Sequence, residues 1–329
     1  MKKIACCGYH ISGSGVIDDL FREFDNVFQG SYEAESTFLK DPDMVSDLEH
    51  HLVENPQRMY SGVAIKRFEK SIKARARNFH HIFGNNWERI SFEYAKSLIK
   101  IDYQGYTVND LYLMSSFAWW SRLVRKGLNL VFMPKSKRYK WNHNYFPSAH
   151  TYHAVLSESE FLQKTQKYVD NLCDAMSDGT KEYIMLDQLI PPSNPERYMR
   201  YVKDLKVVIV DRDPRDIYIQ HILSKDHVLP KDPYEFCVVY RDNRVITGNI
   251  PDNCMFVKFE DMIYNYEESI EKIIHFVGID VSHHINKKEY FNPAISIKNT
   301  KLWEKHPEFS KDICIIEKEL SDYLYKYDI

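Results

Sequence analysis

The fold is most clearly indicated by the segment Val207-Val208-Ile209-Val210-Asp211-Arg212-Asp213-Pro214-Arg215-Asp216-Ile217. Its first four residues are apolar and β-branched, which is typical of a strand buried on both faces of a parallel sheet. Pro214 suits the first turn of a helix, where an N–H group would have no partner inside the helix. The segment therefore predicts a buried strand, a turn that carries Arg212, and then a helix.

Strands and helices also alternate on either side of this segment. Apolar runs at residues 4–7 and 183–186 and a mostly apolar run at residues 255–259 predict strands, and apolar residues at helical spacing follow the first and the last of these runs. Such an alternation predicts a parallel sheet with helices on both of its faces.

The region between the first two of these strands has a different pattern. Residues 59–126 show helical periodicity in three blocks, so we expect a mostly helical insertion over about 55–155 that forms the acceptor side. Because the chain has no internal repeat and no low-complexity linker, we expect one α/β domain over residues 1–329. Residues 131–133 are compatible with a short strand, and residues 311–326 with a last helix.

The composition limits the partners of the chain. Its 44 Lys and Arg residues against 47 Asp and Glu residues give a net charge of −3, which provides no overall field to hold a nucleic-acid polymer. No run approaches the ~20 apolar residues of a membrane helix, so we expect no integral membrane segment. The first residues lack the apolar core of a signal peptide, and the six cysteines form no C-x-x-C pair. We therefore expect a cytoplasmic protein with reduced thiols.

A loop of small residues, Gly8-Tyr9-His10-Ile11-Ser12-Gly13-Ser14-Gly15, follows the first predicted strand. Successive backbone N–H groups in such a loop can bind an anion, and glycine lets the backbone approach a phosphate closely. A dinucleotide-binding loop would need a third small residue where Asp18 stands. A Walker A loop would need Lys and then Ser or Thr after Gly13, where Ser14 and Gly15 stand. A phosphosulfate-binding loop and a turn without a ligand both remain open.

Arg212 emerges at the carboxyl end of a predicted strand, which is the edge where open α/β sheets bind ligands, and its planar fork fits a phosphate. Here the sequence resembles the sulfotransferases that use 3′-phosphoadenosine-5′-phosphosulfate (PAPS), whose second nucleotide motif reads strand-R-D-P-R-D. Residues 256–279 resemble the family's Y-E-D-L … F-L-G helix. Residues 296–303, the closing segment, resemble the family's C-terminal segment that closes over the nucleotide. With the first loop, four motifs stand in the family's order.

The resemblance implies a fold, a co-substrate and a set of binding residues. The fold would be a P-loop NTPase-like three-layer α/β sandwich with a central parallel sheet and the mostly helical insertion. PAPS would be the co-substrate, and no metal is expected. The first loop would hold the 5′-phosphosulfate, and the arginine of the second motif would hold the 3′-phosphate. The residues that the resemblance assigns to the nucleotide are Ser12, Gly13, Ser14, Gly15, Arg212, Gln220, Lys298 and Asn299.

Two positions depart from the family's pattern. Ile11 stands where the family's first loop carries a cation between the sulfuryl group and the leaving phosphate, so His10 or a lysine from the insertion would have to serve. Gln220 stands where a serine is usual, and its amide can still donate a hydrogen bond to a phosphate.

Sulfuryl transfer to a hydroxyl group also needs a base to take the proton. In the resembling family a base often follows the strand that precedes the R-D-P-R-D strand, and Asp187 holds this position. An aspartate that caps residues 191–194 is the alternative interpretation. His143, His150 and His153 are competing bases, although a polar surface loop also explains them and their spacing matches no metal site.

The predicted function is sulfuryl transfer from PAPS to a hydroxyl group of a small-molecule or glycan acceptor. A carbohydrate is expected because the motifs are closest to glycan-type members of the family. The first alternative is a non-catalytic protein that binds PAPS, or its product 3′-phosphoadenosine-5′-phosphate (PAP), on the same fold, which Ile11 favours. The second alternative is a P-loop kinase, which the missing Walker A lysine disfavours.

Overall fold

The structure is a computed structural model that describes residues 1–30, 34–105, 113, 116–135, 150–225 and 228–327. Its strands are β1 (Lys2–Gly8), β2 (Val27–Gln29), β3 (Ile101–Gln104), β4 (His150–His153), β5 (Tyr183–Asp187), β6 (Leu205–Asp211) and β7 (Cys254–Lys258).

Its helices lie between these strands and after the last of them. They are α1 (Gly15–Phe21), α2 (Val45–Glu49), α3 (Arg58–Ala74), α4 (Ala76–Phe83), α5 (Asn86–Leu98), α6 (Ser116–Phe132), α7 (Glu158–Met176), α8 (Pro195–Met199), α9 (Pro214–Ser224), α10 (Pro233–Asp242), α11 (Phe259–Tyr264), α12 (Tyr266–Val277), α13 (Pro293–Ser296), α14 (Leu302–Lys305) and α15 (Ser310–Glu319). All of the helices in the described part of the chain are too short or too polar to cross a bilayer.

Five strands form a central parallel sheet in the order β2-β5-β1-β6-β7. The middle strand, β1, pairs in parallel with β5 on one side and with β6 on the other, so that Ala5 lies between Leu186 and Val207. The predicted parallel sheet with flanking helices is therefore confirmed. Because all five strands point the same way, the turns that follow them lie along one edge of the sheet.

The packing of the core explains why the sequences of β1 and β6 contain continuous apolar runs. Successive side chains of a strand point to opposite faces, and in these two strands both faces are covered. Ile4 and Val208 pack on one face against α1, α11 and α12, in a cluster that includes Ile17 and Ile273. A second apolar cluster is formed by side chains of α9, α10 and α15, with Phe236 at 0% exposure.

The chain divides into two compact units. Unit 1 holds the central sheet and comprises Met1–Lys40, Asn78–Gly84 and Val169–Ile329, whereas unit 2 comprises Asp41–Arg77 and Asn85–Tyr168. Unit 2 is mostly helical, as the sequence predicts for the insertion, and it also contains the antiparallel pair of strands β3 and β4. The single domain and the acceptor role of the insertion stay predictions.

Two predicted elements are wrong in type or length. Residues 131–133 do not form a strand, because the helix Ser116–Phe132 includes the first two of them; an apolar run of three residues cannot distinguish the two states. The last helix spans Ser310–Glu319, and a 3₁₀ turn follows at Ser321–Tyr323. It is shorter than predicted because the backbone leaves the helical region at Leu320 (φ −121°, ψ 30°).

Candidate functional site

The two predicted nucleotide-binding turns follow β1 and β6, which are neighbours in the sheet. Gly8, the last residue of β1, pairs with Val210 near the end of β6, so both turns start at the same edge. The later strands β5 and β6 lie on opposite sides of β1, an arrangement that opens a crevice at the carboxyl ends of the strands. Every residue predicted to bind the nucleotide belongs to unit 1.

The first turn is a compact loop. The Ser12 N–H group donates to the Tyr9 carbonyl oxygen at 3.0 Å. Gly13 adopts φ 82°, a left-handed conformation that favours glycine. A Cβ atom at Gly13 would lie 2.6 Å from the Phe259 ring, so close packing also requires glycine here.

Several donors of this loop lack partners in the described part of the chain. Ser12 is 1% exposed, and its Oγ atom makes no hydrogen bond there. The backbone N–H groups of Gly13, Ser14 and Gly15 also make none to described residues. Because a buried polar group such as the Ser12 hydroxyl is normally paired, the loop fits a ligand that brings acceptor oxygens, as a phosphate or a sulfate does.

The second turn brings Arg212 onto the first. The Arg212 side chain is buried; Nη1 donates to the Ile11 carbonyl oxygen at 3.1 Å and to Gln220 Oε1 at 2.6 Å. Its Nη2 atom donates to the Asn299 carbonyl oxygen, in the closing segment. The first loop, α9 and the closing segment therefore meet at one guanidinium group.

One hydrogen-bond donor of the Arg212 guanidinium group remains available for a ligand. Its Nε atom is buried and has no hydrogen-bond partner among the described residues. Burial lowers the pKa of Arg212, and nearby carboxylates, Asp216 first among them, oppose this effect. Arginine nevertheless stays charged in proteins, so the turn presents a positive charge that can bind a phosphate.

The other charged residues of the R-D-P-R-D motif stabilise the turn itself. The Asp213 carboxylate accepts hydrogen bonds from the backbone N–H group of Arg215 at 2.9 Å and from its Nη2 atom at 2.7 Å. Asp216 accepts from the backbone N–H groups of Lys301 at 3.1 Å and Leu302 at 2.7 Å. Asp216 thereby ties the closing segment to α9.

A buried carboxyl group supports the Arg212 turn from α11. The Oε1 atom of Glu260 accepts a hydrogen bond from the Asp213 N–H group at 2.9 Å, whereas Oε2 has no partner among the described residues. Burial raises the pKa of Glu260 to about 7.

Two of the three remaining predicted nucleotide ligands contact Arg212. Gln220 and Asn299 do so through the bonds given above, whereas the Lys298 side chain is exposed and its carbonyl oxygen accepts from Lys305 Nζ at 2.9 Å. The roles of these residues in binding stay predictions.

The two predicted catalytic residues lie at the same edge of the sheet. Asp187 ends β5, and its Oδ1 atom accepts a hydrogen bond from the Cys6 thiol at 2.9 Å. Burial raises the pKa of Asp187, and this thiol bond opposes the rise. A raised pKa brings a carboxylate closer to the range of a general base at neutral pH. His10 is exposed on the first loop, and its catalytic role, like that of Asp187, stays a prediction.

The Ile11 side chain supplies no polar group to the site. Ile11 adopts φ 59°, and its side chain packs against the apolar cluster of α9, α10 and α15. Its carbonyl oxygen serves the site by accepting from Arg212, while its side chain fills the cluster.

The sequence does not predict Gln188, which links β5 to the first loop. Its Nε2 atom donates to Ser14 Oγ at 2.8 Å, and its Oε1 atom lies 3.4 Å from the Gly8 amide nitrogen. The available signal was its position, since it is a polar residue directly after a buried strand at the edge that binds ligands.

His150 and His153 belong to unit 2, whereas the candidate site belongs to unit 1. His143 lies outside the described residues. His150 Nδ1 lies 2.8 Å from Asp102 Oδ1 across the antiparallel pair of β3 and β4 in unit 2, and His153 is the last residue of β4. Among the described residues, no group of His, Cys, Asp and Glu could hold a metal ion.

Comparison with known proteins gives only distant matches. No protein-family model matches the chain, and a search of curated proteins gives no significant match. One matching solved structure is a retinol dehydratase in complex with androsterone and the inactive cofactor PAP, at 14% identity and TM-score 0.34, over 99% of this chain and 82% of that chain. Another is the sulfotransferase STF9 from Mycobacterium avium, at 9% identity and TM-score 0.35, over 94% of this chain and 75% of that chain.

A sulfotransferase is thus among the solved structures to which the chain is similar, as the motifs predict. TM-scores of this size carry no argument about function, which has to rest on the chain's own residues.

Proposed function

We propose that the chain transfers the sulfuryl group of PAPS to a hydroxyl group of an acceptor, and that this acceptor is a carbohydrate. The observation that carries the proposal is the 3.1 Å hydrogen bond from Arg212 Nη1 to the Ile11 carbonyl oxygen. It puts an arginine whose Nε atom is unpartnered among the described residues beside a loop whose Ser12 hydroxyl is likewise buried and unpartnered there. A nucleotide with an acidic group at each end would pair with both turns.

Each turn takes one end of the nucleotide. Ser12 and the N–H groups of the loop through Gly15 bind the 5′-phosphosulfate. Arg212 and Gln220 bind the 3′-phosphate, and the closing segment adds contacts from Lys298 and Asn299.

The reaction is an in-line displacement. The acceptor oxygen forms a bond to sulfur while the bond from sulfur to the 5′-phosphate oxygen breaks, and the electron pair of the broken bond stays on the phosphate. Asp187 takes the proton of the acceptor hydroxyl group. By analogy with phosphoryl transfer, positioning and electrostatic stabilisation carry most of the catalysis.

One observation favours a second candidate, a non-catalytic protein that binds the same nucleotide. The Ile11 side chain is packed into an apolar cluster and supplies no charge to the loop. A protein of this kind would bind PAP through the same two turns without transferring sulfate.

The test incubates the purified chain with PAPS and, separately, an oligosaccharide, a phenol and a sterol, and detects the sulfated product and PAP by mass spectrometry. We expect sulfated oligosaccharide, and we expect Arg212→Ala to abolish its formation. Arg89→Ala is the control, because Arg89 is an exposed arginine on α5 of unit 2 that pairs with Glu93. Binding of PAP without any sulfated product would support the non-catalytic candidate instead. Binding of ATP with Mg²⁺ but not of PAP would contradict both.

A further inference from the structure

A lysine from another part of unit 1 lies beside the first loop. Lys40 directly follows the 3₁₀ turn Thr37–Leu39, and its backbone N–H group donates to the Thr37 carbonyl oxygen at 2.9 Å. Its Nζ atom lies 3.4 Å from Gln188 Oε1. Gln188 in turn contacts the loop at Ser14 and Gly8. The Lys40 ammonium group is therefore one side chain away from the loop.

A hydrogen bond before the turn and packing inside it fix this position. Before it, the Ser36 N–H group donates to the Asp187 carbonyl oxygen at 2.7 Å, which joins the segment to the end of β5. Inside it, Phe38 is 1% exposed and packs edge-on against Phe83, with ring centroids 5.6 Å apart. The segment thus contacts two consecutive residues, Asp187 through Ser36 and Gln188 through Lys40.

The charge of Lys40 is not matched by a salt bridge in the described part of the chain. The 3.4 Å contact with Gln188 is long for a hydrogen bond, and no carboxylate oxygen lies within 4.0 Å of Nζ there. Because an ammonium group strongly favours anionic partners, this placement leaves its charge available at the site.

We propose that Lys40 is a catalytic residue that supplies the positive charge which the first loop itself lacks. This inference rests on the proposed function. As the acceptor oxygen bonds to sulfur, negative charge builds up on the sulfuryl oxygens and on the 5′-phosphate oxygen that leaves with the electron pair. The ammonium group of Lys40 contacts these oxygens and stabilises the charge, and it keeps its own protons throughout.

The first test compares Lys40→Met with Lys206→Met. Lys206 is also half-buried, but it lies near the amino end of β6, away from the edge that carries both turns. We expect Lys40→Met to lower kcat for sulfuryl transfer by about 10²–10³-fold, the usual cost of removing one donor to a developing charge. The Kd of PAP should change by less than about fivefold, since the interaction is strongest in the transition state. Lys206→Met should change neither quantity, and Lys40→Arg should recover part of kcat because it keeps the charge.

The second test is independent of turnover. Acetic anhydride labels lysines of the whole chain with and without saturating PAP, and peptide mass spectrometry measures the rate at each position. We expect PAP to slow the labelling of Lys40 severalfold and to leave that of Lys206 unchanged.

The outcomes separate the two proposals. If the wild-type chain transfers sulfate but Lys40→Met transfers it equally fast, or if PAP leaves the labelling of Lys40 unchanged, the role of Lys40 is overturned and the proposed function stands. If the wild-type chain neither binds PAP nor transfers sulfate, the proposed function fails and the role of Lys40 fails with it.

Discussion

Replacing Arg212 by lysine should remove the preference of the chain for nucleotides that carry a 3′-phosphate. The guanidinium group already donates to Ile11, Gln220 and Asn299, and its Nε atom is the donor that is unpartnered among the described residues. A lysine ammonium group keeps the charge, but it lacks the planar fork that serves the buried acceptors and a phosphate together. A hydrogen bond to a charged group contributes about 1.5–3 kcal/mol. Arg212→Lys should therefore reduce the preference for PAP over AMP by roughly 10–150-fold.

Isothermal titration of PAP and of AMP, which lacks the 3′-phosphate, measures this preference in the wild type and in the variant. Comparing two ligands on the same protein cancels any general loss of stability that the substitution causes. Arg89→Lys, on the exposed face of α5, should leave both affinities unchanged. An Arg212→Lys chain that binds both ligands more weakly by the same factor would refute the assignment of Arg212 to the 3′-phosphate.

Three other substitutions test the loop, the buried carboxyl group and the base. Gly13→Ala should destabilise the fold by about 1–3 kcal/mol in denaturant unfolding, because φ is 82° and the new Cβ atom would meet the Phe259 ring. Gly15→Ala is the control: nothing lies within 4 Å of a Cβ atom there, so it should cost less than about 1 kcal/mol. Burial raises the pKa of Glu260 from 4.5 to about 7, so as the pH rises the unfolded chain loses this proton before the folded chain does. The free energy of unfolding therefore falls between about pH 4.5 and pH 7, by roughly 3 kcal/mol at most. Glu260→Gln should lack this part of the pH dependence in unfolding curves at pH 4.5 and pH 8, and an unchanged dependence would assign it to other carboxyl groups. Asp187→Asn should lower kcat by about 10²–10⁴-fold with little change in the Kd of PAP, and a turnover rate equal to that of the wild type would exclude Asp187 as the base.

The sequence predicts the sheet well because its signals are local. The apolar runs of β1 and β6 and the position of Pro214 reflect burial on two faces and the start of a helix, and each can be read within a few residues. The position of Arg212 next to the first loop is implied only by the resemblance of the motifs, because the strand order that makes β1 and β6 neighbours is visible only in the structure.

The contacts of the candidate site join residues that are far apart in the chain, so no local sequence pattern indicates them. Lys40 reaches the site because residues 34–40 fold back along the end of β5, which no periodicity indicates. Asp216 pairs with backbone N–H groups 85 and 86 residues later, so its task of holding the closing segment is visible only in the structure. The error at residues 131–133 has a different cause, since three apolar residues fit a strand and a helix end equally well.

The central claim is that two turns at one edge of the sheet bind a single adenine nucleotide that carries a 3′-phosphate. Thermal unfolding of the whole chain with PAP, and separately with ATP and Mg²⁺, tests this claim most directly. A ligand at a hundredfold excess over its Kd adds about 2.7 kcal/mol to the free energy of unfolding. We predict a clear rise in Tm with PAP and none with ATP and Mg²⁺; a rise with ATP and Mg²⁺ and none with PAP would contradict the claim.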